Sequence, residues 1–435
     1  MSGAWLLEGP LDNAALKLSI QRVTTRHESL RTSFAFHAGH PVQLVHASID
    51  IDFKDEDLSA EPHSERRFLE LVHEMCNSHF DLASAPLLRT MLMRLPNRSD
   101  NVERNILALS IHHIVSDGWS VGILLREISR LYAGEFLEEL PLLPLQYRDY
   151  ASWHNNQVEG EVVGMVSRSF WRNILSEEII PLELPVDFPR SGKLNHRGGR
   201  EAVSLGYELA PIVRRFAETK ETTLFTLLLS VITVLLYTRC GQTDIVVGVP
   251  VAGRDHPDLE NQVGLFLNTL PVRIRITPET SFDQYLKKVR DTVEQCFSYQ
   301  SYPFDLIVEQ SEIVTPAGRN PLFDVMFVLQ NTEPVALLLE GVVVTAIQIG
   351  PPPSKFDLMF DLVDDADISG TIEYSADLFR METATIYGDD LKILLWKVCA
   401  DPAVTLAELD RMLMPTDGVA RHMMTLALTD LSEDF

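Results

Sequence analysis

The chain has 435 residues, of which 46% are hydrophobic and 23% charged, and this length predicts two domains rather than one core. Its formal net charge of −25 comes from 62 acidic and 37 basic residues, which argues against nucleic acid or an anionic membrane as a partner. The four cysteines lie far apart without metal-ligand spacing, and the N-terminus has no signal-peptide pattern. We therefore expect a cytoplasmic protein without a metal site.

The first half of the chain predicts alternating helices and strands. Apolar residues at helical spacing predict helices over 11–25 and 65–76. Short strands are predicted over 33–37 and 42–45, around a turn at Gly39, and over 87–95. Residues 106–111 are apolar on both faces, which is typical of a central strand rather than an edge strand.

The second half begins after a segment without periodicity. Residues 181–199 are rich in proline and glycine, which indicates a linker or a long surface loop. The uncharged stretch 222–238 is short for a membrane span and predicts a buried helix. We expect an N-terminal domain over 1–175, a linker over 176–200, a C-terminal domain over 201–415 and a tail over 416–435. The predicted strands of the second domain are 245–250, 269–276, 323–329 and 368–374, and its helices are 224–237, 281–297 and 383–400.

The segment SIHHIVSDGWS, at residues 110–120, is the strongest candidate for a functional site. An apolar strand leads to two adjacent histidines, His112 and His113, and an Asp-Gly turn precedes an amphipathic helix. Strand alternation sends His112 and His113 to opposite faces, so we expect one ring to face a substrate and the other to belong to the scaffold. Ser116 or Asp117 is placed to cap the helix.

An imidazole at this position can take a proton from an attacking amine or hydroxyl group. Buried histidines also occur as hydrogen-bonded core residues, and the short motif alone leaves both interpretations open.

Several further segments resemble, in order and spacing, the condensation domains of nonribosomal peptide synthetases. These segments are RHESLRTSF at 26–34, HHIVSDGWS at 112–120, YRDYASW at 147–153, VGLFLNTLPVR at 263–273, YPFD at 302–305, RNPLF at 319–323, KFDL at 355–358 and YSADLF at 374–379. The resemblance covers nearly the whole chain.

This resemblance implies a mixed α/β fold with two chloramphenicol-acetyltransferase-like lobes, arranged as a V-shaped pseudo-dimer around a central tunnel. The implied reaction forms an amide bond between a donor acyl thioester and an acceptor aminoacyl thioester. Both substrates arrive on peptidyl carrier proteins, on phosphopantetheine arms that the partners supply. The chain itself is expected to bind no cofactor, and its partners are these carriers and neighbouring synthetase modules.

The same resemblance assigns roles to individual residues. His113 is implied to face the tunnel and to act on the acceptor amine, and His112 becomes a scaffold residue. Asp117 is implied to be structural and paired with an arginine, for which Arg31 and Arg273 are the candidates.

The remaining family positions receive supporting roles. Gly118 is implied to keep the backbone near the thioester free of side-chain bulk. Asn268 and Thr269 are expected to hold the crossover between the lobes. Trp153, Phe266 and Phe304 are expected to be core or lobe-packing residues rather than to touch substrate.

The chain departs from the family pattern in two places. The first family motif, SxAQxRLWxL, is absent, which implies either a truncated reading frame or a diverged free-standing enzyme. The usual His-Gln pair before the PFD-like element reads Tyr299-Gln300. No adenylation or carrier-protein signature occurs in the sequence.

Several alternative functions remain open. An epimerising relative uses the same histidines, but it carries distinguishing motifs that we do not find here. A heterocyclising relative has a paired-aspartate motif in place of HHxxxDG. A free-standing acyltransferase with a soluble acceptor and a catalytically silent docking domain for carriers or tailoring enzymes are further candidates.

Overall fold

A computed structural model describes residues 1–97, 101–160, 163–192, 196–311, 313, 315–330, 335–350 and 354–413. The predicted tail over 416–435 lies outside these residues. Strands and helices alternate along most of the chain, as the mixed α/β prediction requires. The strands are β1 (Ser2–Glu8), β2 (Thr32–His37), β3 (His40–Val45), β4 (Asp52–Asp57), β5 (Leu88–Leu95), β6 (Arg104–Ile111), β7 (Gly198–Ser204), β8 (Asp244–Val251), β9 (Asn268–Arg275), β10 (Val325–Gln330), β11 (Val343–Ile347), β12 (Leu358–Val363) and β13 (Ser369–Ser375).

The predicted helices over 11–25, 65–76, 224–237, 281–297 and 383–400 match observed helices to within three residues at each end. Four other helices, which begin at Tyr147, Gly206, Phe304 and Leu406, had no counterpart in the prediction. The helices are α1 (Asn13–Arg26), α2 (Ser64–Asn77), α3 (Gly118–Tyr132), α4 (Tyr147–Glu159), α5 (Val163–Ile174), α6 (Gly206–Thr219), α7 (Leu224–Cys240), α8 (Phe282–Ser298), α9 (Phe304–Gln310), α10 (Met381–Ala400) and α11 (Leu406–Leu413).

The chain divides into two compact units that are not two continuous halves. Unit 1 comprises Met1–Gly160, Ala252–Leu267 and Glu333–Gly350, and unit 2 comprises Glu161–Val251, Asn268–Thr332 and Pro351–Phe435. Two segments of the second half therefore fold with the first. A prediction based on composition and periodicity placed the boundary near residue 175, because it followed chain order and had no information on pairing.

Unit 1 is built on a mixed sheet with the strand order β11-β1-β6-β5-β4. β6 lies in the middle of the sheet, antiparallel to both β1 and β5, which confirms the prediction of a central strand. β11 enters this sheet from the second half of the chain and pairs with β1. β4 has the sequence DFKDED, whose acidic residues gave no strand signal; as an edge strand parallel to β5 it leaves most of them exposed.

Unit 2 contains a six-stranded mixed sheet with the order β7-β13-β12-β10-β8-β9. Its first strand, β7, begins inside the predicted linker and pairs with β13. The prediction of a buried helix over 222–238 is confirmed by α7, which is buried from Thr226 to Tyr237. The hydroxyl groups of Ser230 and Thr233 donate to carbonyls of the preceding turn, and Thr233 also lies 2.7 Å from the hydroxyl group of Tyr285 on the neighbouring helix α8.

No single helix in the described part of the chain is long and apolar enough to cross a membrane. α6 and α7 reach the length and apolar composition of a membrane span only when they are taken together, and the chain bends by 107° between them.

Candidate functional site

The site in unit 1 begins where β6 ends. The last paired residue of this strand is Ile111, and His112 continues only through its backbone N–H, which donates to the Leu87 carbonyl. His113 starts a 3₁₀ turn over His113–Val115. The expectation that strand alternation separates the two rings is therefore wrong, because the strand ends before them. The 3₁₀ turn determines where each ring lies.

The contacts of His112 are those of a scaffold residue. Its Nδ1 accepts a hydrogen bond from the Ile114 N–H at 3.1 Å, which closes the turn. Its ring packs edge-on against Phe80 with a centroid distance of 5.7 Å. Burial lowers the pKa of His112, and the neighbouring His113 acts in the same direction. A neutral ring with an unprotonated Nδ1 is what the backbone hydrogen bond requires.

His113 is half-buried and begins the turn, and its carbonyl accepts from the Ser116 N–H at 3.2 Å. The residue is thus held by backbone hydrogen bonds on both sides of the turn, between a buried strand and α3. These bonds fix the backbone position of His113, and a fixed backbone limits where its side chain can reach.

Asp117 caps α3 and lies at the centre of a buried polar network. Its Oδ1 accepts from the Ser120 N–H at 2.8 Å and from the Ser120 hydroxyl at 2.7 Å, and its Oδ2 accepts from the Phe266 N–H at 3.1 Å. Arg254 donates to both carboxylate oxygens at 3.1 and 3.2 Å. The prediction that Ser116 or Asp117 caps the helix is confirmed, with Asp117 in that role.

The partner of Asp117 is Arg254, and neither predicted candidate takes this role. Arg31 forms an ion pair with Glu28 at 3.3 Å and donates to the Thr25 carbonyl. Arg31 is the last residue of the 3₁₀ helix Glu28–Arg31, and its contacts stabilise this helix. No family motif in the sequence analysis included Arg254, so this residue was missed.

Arg273, the other candidate, belongs to unit 2. Its guanidinium pairs with Asp244 at 2.6 Å across the β8–β9 ladder. It also donates to the carbonyls of Ile174, Glu177 and Glu178, which anchors the segment that follows α5. These four partners take up all five N–H groups of the guanidinium and leave none for Asp117.

Arg254 has a buried environment that explains its fixed position. Its side chain is 1% exposed, and the guanidinium lies 4.0 Å from the centroid of the Phe266 ring. It donates to the carbonyls of Leu259 and Gln262 as well as to Asp117. Burial lowers the pKa of Arg254, and the Asp117 carboxylate opposes that shift.

Residues of the DGWS segment also fasten the chain segment 252–267 to unit 1. The Trp119 indole N–H donates to the Glu260 carbonyl at 2.8 Å. The Ser120 hydroxyl lies 2.9 Å from the Gly264 carbonyl and accepts from the Gly264 N–H at 3.1 Å. The second half of the motif thus binds a segment more than 130 residues away in sequence, which no local pattern could have indicated.

Gly118 and Gly264 are required for different reasons. A Cβ placed on Gly264 would lie 2.1 Å from a Tyr147 ring carbon, so close packing demands a glycine there. A Cβ on Gly118 would meet no atom within 4 Å, and its φ is not in the left-handed region. Neither packing nor backbone geometry explains Gly118, which leaves open space beside the first turn of α3.

A second buried group connects the RHE segment to α3. Glu127 accepts from Arg26 Nε at 3.1 Å and lies 2.9 Å from His27 Nε2. Burial raises the pKa of Glu127, but the hydrogen bonds and charges of His27 and Arg26 more than offset it, and the pKa is lowered. Glu127 was missed in the sequence, where it reads as one of many helical glutamates.

In unit 2, Asn268 joins two of the segments that carry the resemblance. Its amide nitrogen donates to the carbonyls of Gln300 and Tyr302, both at 2.8 Å, and its amide oxygen accepts from the Phe304 N–H at 3.0 Å. All three groups lie in the turn that precedes α9. The side-chain amide of Asn268 therefore stabilises this turn through both its nitrogen and its oxygen.

The tyrosine that replaces the usual histidine in this turn has its own packing. Tyr299 stacks on Phe170 with a centroid distance of 4.2 Å, and its carbonyl accepts from the Trp171 indole N–H at 3.3 Å. The aromatic residue thus fixes α5 against the turn.

The residues expected in the core are not all buried. Phe266 is buried beside Arg254, and Phe304 is half-buried and packs near Phe323 with a centroid distance of 5.5 Å. Trp153 is 53% exposed, which excludes the core among the two places expected for this residue. Among the described residues, no group of three or more His, Cys, Asp or Glu side chains is arranged to hold a metal ion.

Comparison with known proteins places the whole chain in a family. A family model described as "Condensation domain" matches residues 1–417. Gramicidin S synthase 2 of Brevibacillus brevis is 35% identical over 411 residues, and tyrocidine synthase 3 of Brevibacillus parabrevis is 37% identical over 414 residues. These matches cover 94% and 95% of this chain but only 9% and 6% of the synthases, so the chain spans less than a tenth of each relative's length.

Two solved structures show the same fold with more than 25% identity. A complex of the X-domain and OxyB from teicoplanin biosynthesis matches with a TM-score of 0.84 and 27% identity, over 96% of this chain and 91% of that chain. The SgcC5 protein from Streptomyces globisporus, solved with a naphthyl ethanediol and sucrose, matches with a TM-score of 0.72 and 26% identity, over 93% of both chains.

Proposed function

Since the chain belongs to the condensation-domain family, we propose that it catalyses amide-bond formation between a donor acyl thioester and an acceptor aminoacyl thioester. The acceptor amine attacks the thioester carbonyl carbon, the C–N bond forms, the C–S bond breaks, and the donor thiol leaves with a proton. Both acyl groups arrive on phosphopantetheine arms of partner carrier proteins within a cytoplasmic synthetase. The two units correspond to the two acetyltransferase-like lobes.

The observation that carries this proposal is the complete HHxxxDG site on a rigid support. His113 lies at a turn that is fixed by the strand before it and by the capped helix after it. In the proposed reaction its imidazole orients the acceptor amine and takes up or relays the proton that the amine loses. His112 accepts a hydrogen bond from the Ile114 N–H and stabilises the turn.

Asp117 and Gly118 support the same reaction without touching its reacting atoms. Asp117 holds the first turn of α3 and, through Arg254, the segment 252–267. Gly118 leaves the space beside this turn open, and the proposed occupant of that space is the thioester end of a phosphopantetheine arm.

The test uses the domain with a loaded donor carrier and a loaded acceptor carrier, and measures the condensed product by mass spectrometry. His113→Ala should abolish product formation while carrier binding stays intact. His73→Ala, at an exposed histidine on α2, is the matched control and should retain wild-type turnover. Equal turnover in His113→Ala and the wild type would refute the catalytic role of His113.

A second candidate function is supported by the solved structure that contains OxyB. The similarity to an X-domain bound to another protein fits a domain that recruits a partner and forms no bond. Such docking relatives typically lose the signature histidines, whereas His112, His113 and Asp117 are all present here. Product formation by the wild-type domain excludes this function.

A third candidate is an acyltransferase with a soluble acceptor, which the diol in the SgcC5 structure brings into consideration. The same assay separates it from condensation when the acceptor is offered both on a carrier and as a free amine or alcohol. A carrier-dependent acceptor is expected for the proposed function. Faster turnover with the free alcohol would favour the soluble-acceptor enzyme.

A further inference from the structure

α5 presents two different faces along its twelve residues. Gly164, Ser167 and Trp171 lie on the buried face, three and four residues apart, and Trp171 is fully buried. Phe170 stacks on the Tyr299 ring and the Trp171 indole N–H donates to the Tyr299 carbonyl, which fixes this side of α5 within unit 2. The outward face of α5 is therefore held in a defined orientation within its unit.

The outward face carries two adjacent apolar side chains. Met165 is 59% exposed and Val166 is 52% exposed. Both sit in the first turns of the helix, where solvent-facing positions would ordinarily be polar. Single exposed apolar residues are common on protein surfaces, but a pair flanked by charged residues is a typical element of an interface.

Two exposed arginines follow this apolar pair on the same face, Arg168 and Arg172. α5 has no acidic residue, although the chain as a whole has 25 more acidic than basic residues. Within the described residues, neither guanidinium has a carboxylate within 4.0 Å; Arg168 has only a 3.4 Å contact with the Tyr302 hydroxyl. The nearby Glu309 on α9 acts on Arg168 only at longer range.

Most other arginines of unit 2 are paired with carboxylates. Arg190, Arg200 and Arg319, for example, each form an ion pair with an aspartate or glutamate. In such an acidic chain, two arginines one helical turn apart without a carboxylate partner form an unusual surface. A surface of this kind is complementary to a partner that brings its own negative charges.

We propose that the outward face of α5, formed by Met165, Val166, Arg168 and Arg172, docks a carrier protein of the condensation reaction. By complementarity, the carrier that fits this face is one whose docking surface has an apolar side chain flanked by carboxylates. The apolar pair buries the apolar side chain, and the arginines bind the carboxylates and accelerate encounter. This inference rests on the proposed function, because that function is what makes a carrier protein the partner.

The test measures binding of fluorescently labelled holo carriers, donor and acceptor separately, to the full chain. The double variant Arg168→Glu/Arg172→Glu should weaken binding of one carrier by roughly tenfold or more at low salt, and the loss should shrink as salt screens the charges. Met165→Ser/Val166→Ser should weaken the same carrier with little dependence on salt.

The matched control is Arg215→Glu, at an exposed arginine on α6 that has no carboxylate partner among the described residues. It changes the net charge in the same direction and should leave binding of both carriers unchanged. Wild-type affinity of the α5 double variant for both carriers would overturn the proposal, as would an equal loss in Arg215→Glu. Thermal unfolding of each variant checks that the chain remains folded.

A turnover assay keeps this inference distinct from the proposed function. Small N-acetylcysteamine thioesters of donor and acceptor need no docking surface, so the α5 variants should process them at the wild-type rate. If the wild type makes no product from any substrate, the proposed function fails, and the carrier-binding measurement still decides whether α5 is a docking surface.

Discussion

Replacing Gly118 by alanine should lower the activity of this protein without lowering its stability. Gly118 is the first residue of α3, and Asp117 caps the helix in front of it. An added methyl group meets no atom within 4 Å, and the backbone is not in the left-handed region, so the folded chain accepts alanine without strain. We expect the substitution to be neutral or to stabilise by up to about 1 kcal/mol, because alanine restricts the unfolded chain and favours the helix.

The magnitude can be checked by thermal unfolding. A change of up to about 1 kcal/mol corresponds to a rise in Tm of roughly 0–4 °C for a chain of two such units. Gly264→Ala provides the contrast, because its Cβ would lie 2.1 Å from the Tyr147 ring. Overpacking of this kind costs about 1–3 kcal/mol, so this second variant should lower the Tm.

The activity of Gly118→Ala should fall although its stability does not. If the open space receives the thioester end of a substrate arm, the methyl group displaces the reacting carbonyl, and a displacement of about 1 Å costs on the order of 100-fold in rate. The assay is product formation from loaded carriers, with carrier affinity measured in parallel and expected to be unchanged. Full activity of Gly118→Ala would refute the reasoning that this space is reserved for substrate.

Three further predictions concern the buried polar groups. Asp117→Asn should destabilise by about 3–5 kcal/mol, because it leaves the Arg254 charge buried without its partner; a Tm within 2 °C of the wild type would contradict this. Glu127→Gln should flatten the pH dependence of stability below pH 4.5. Because the pKa of Glu127 is lowered in the folded chain, its contribution to stability is present above the ordinary glutamate pKa and is lost on acidification. Parallel acid-unfolding curves for variant and wild type would argue against this role. Asn268→Asp should increase hydrogen exchange over residues 300–304, because a carboxylate cannot donate to the two carbonyls that the amide holds; unchanged exchange there would remove Asn268 from this role.

The extent to which the fold was predictable depends on where each element lies. Core elements such as α7, β6 and α8 were predicted with small errors at their ends, because burial imposes a continuous apolar run on α7 and β6 and a helical apolar repeat on α8. The edge strands β4 and β11 were missed, β4 because its residues are acidic and β11 because it is short and mostly exposed. The edge strand β9 was nevertheless predicted, and the inner strands β1 and β12 were missed as well. Hydrogen bonds to a neighbouring strand define such elements, and the local sequence carries little record of them.

The division of the chain into units shows the same limit on a larger scale. The segments 252–267 and 333–350 look like ordinary connections of the second half. They belong to unit 1, because β11 pairs with β1 and because Arg254 pairs with Asp117. Both pairings join residues more than 130 positions apart, and a local reading of the sequence could not detect either.

The sequence by itself determined the family and the position of the HHIVSDGWS segment, because the order and spacing of many short segments are properties of the chain alone. It also limited the cap of α3 to Ser116 or Asp117, because capping involves residues only a few positions apart, and the structure shows Asp117 in that role. Only the tertiary structure decided the separate surroundings of the two histidines, the identity of the arginine beside Asp117 and the open space at Gly118. Each of these depends on which distant backbone and side-chain atoms fill the space around a residue, and packing of that kind is set by the whole fold.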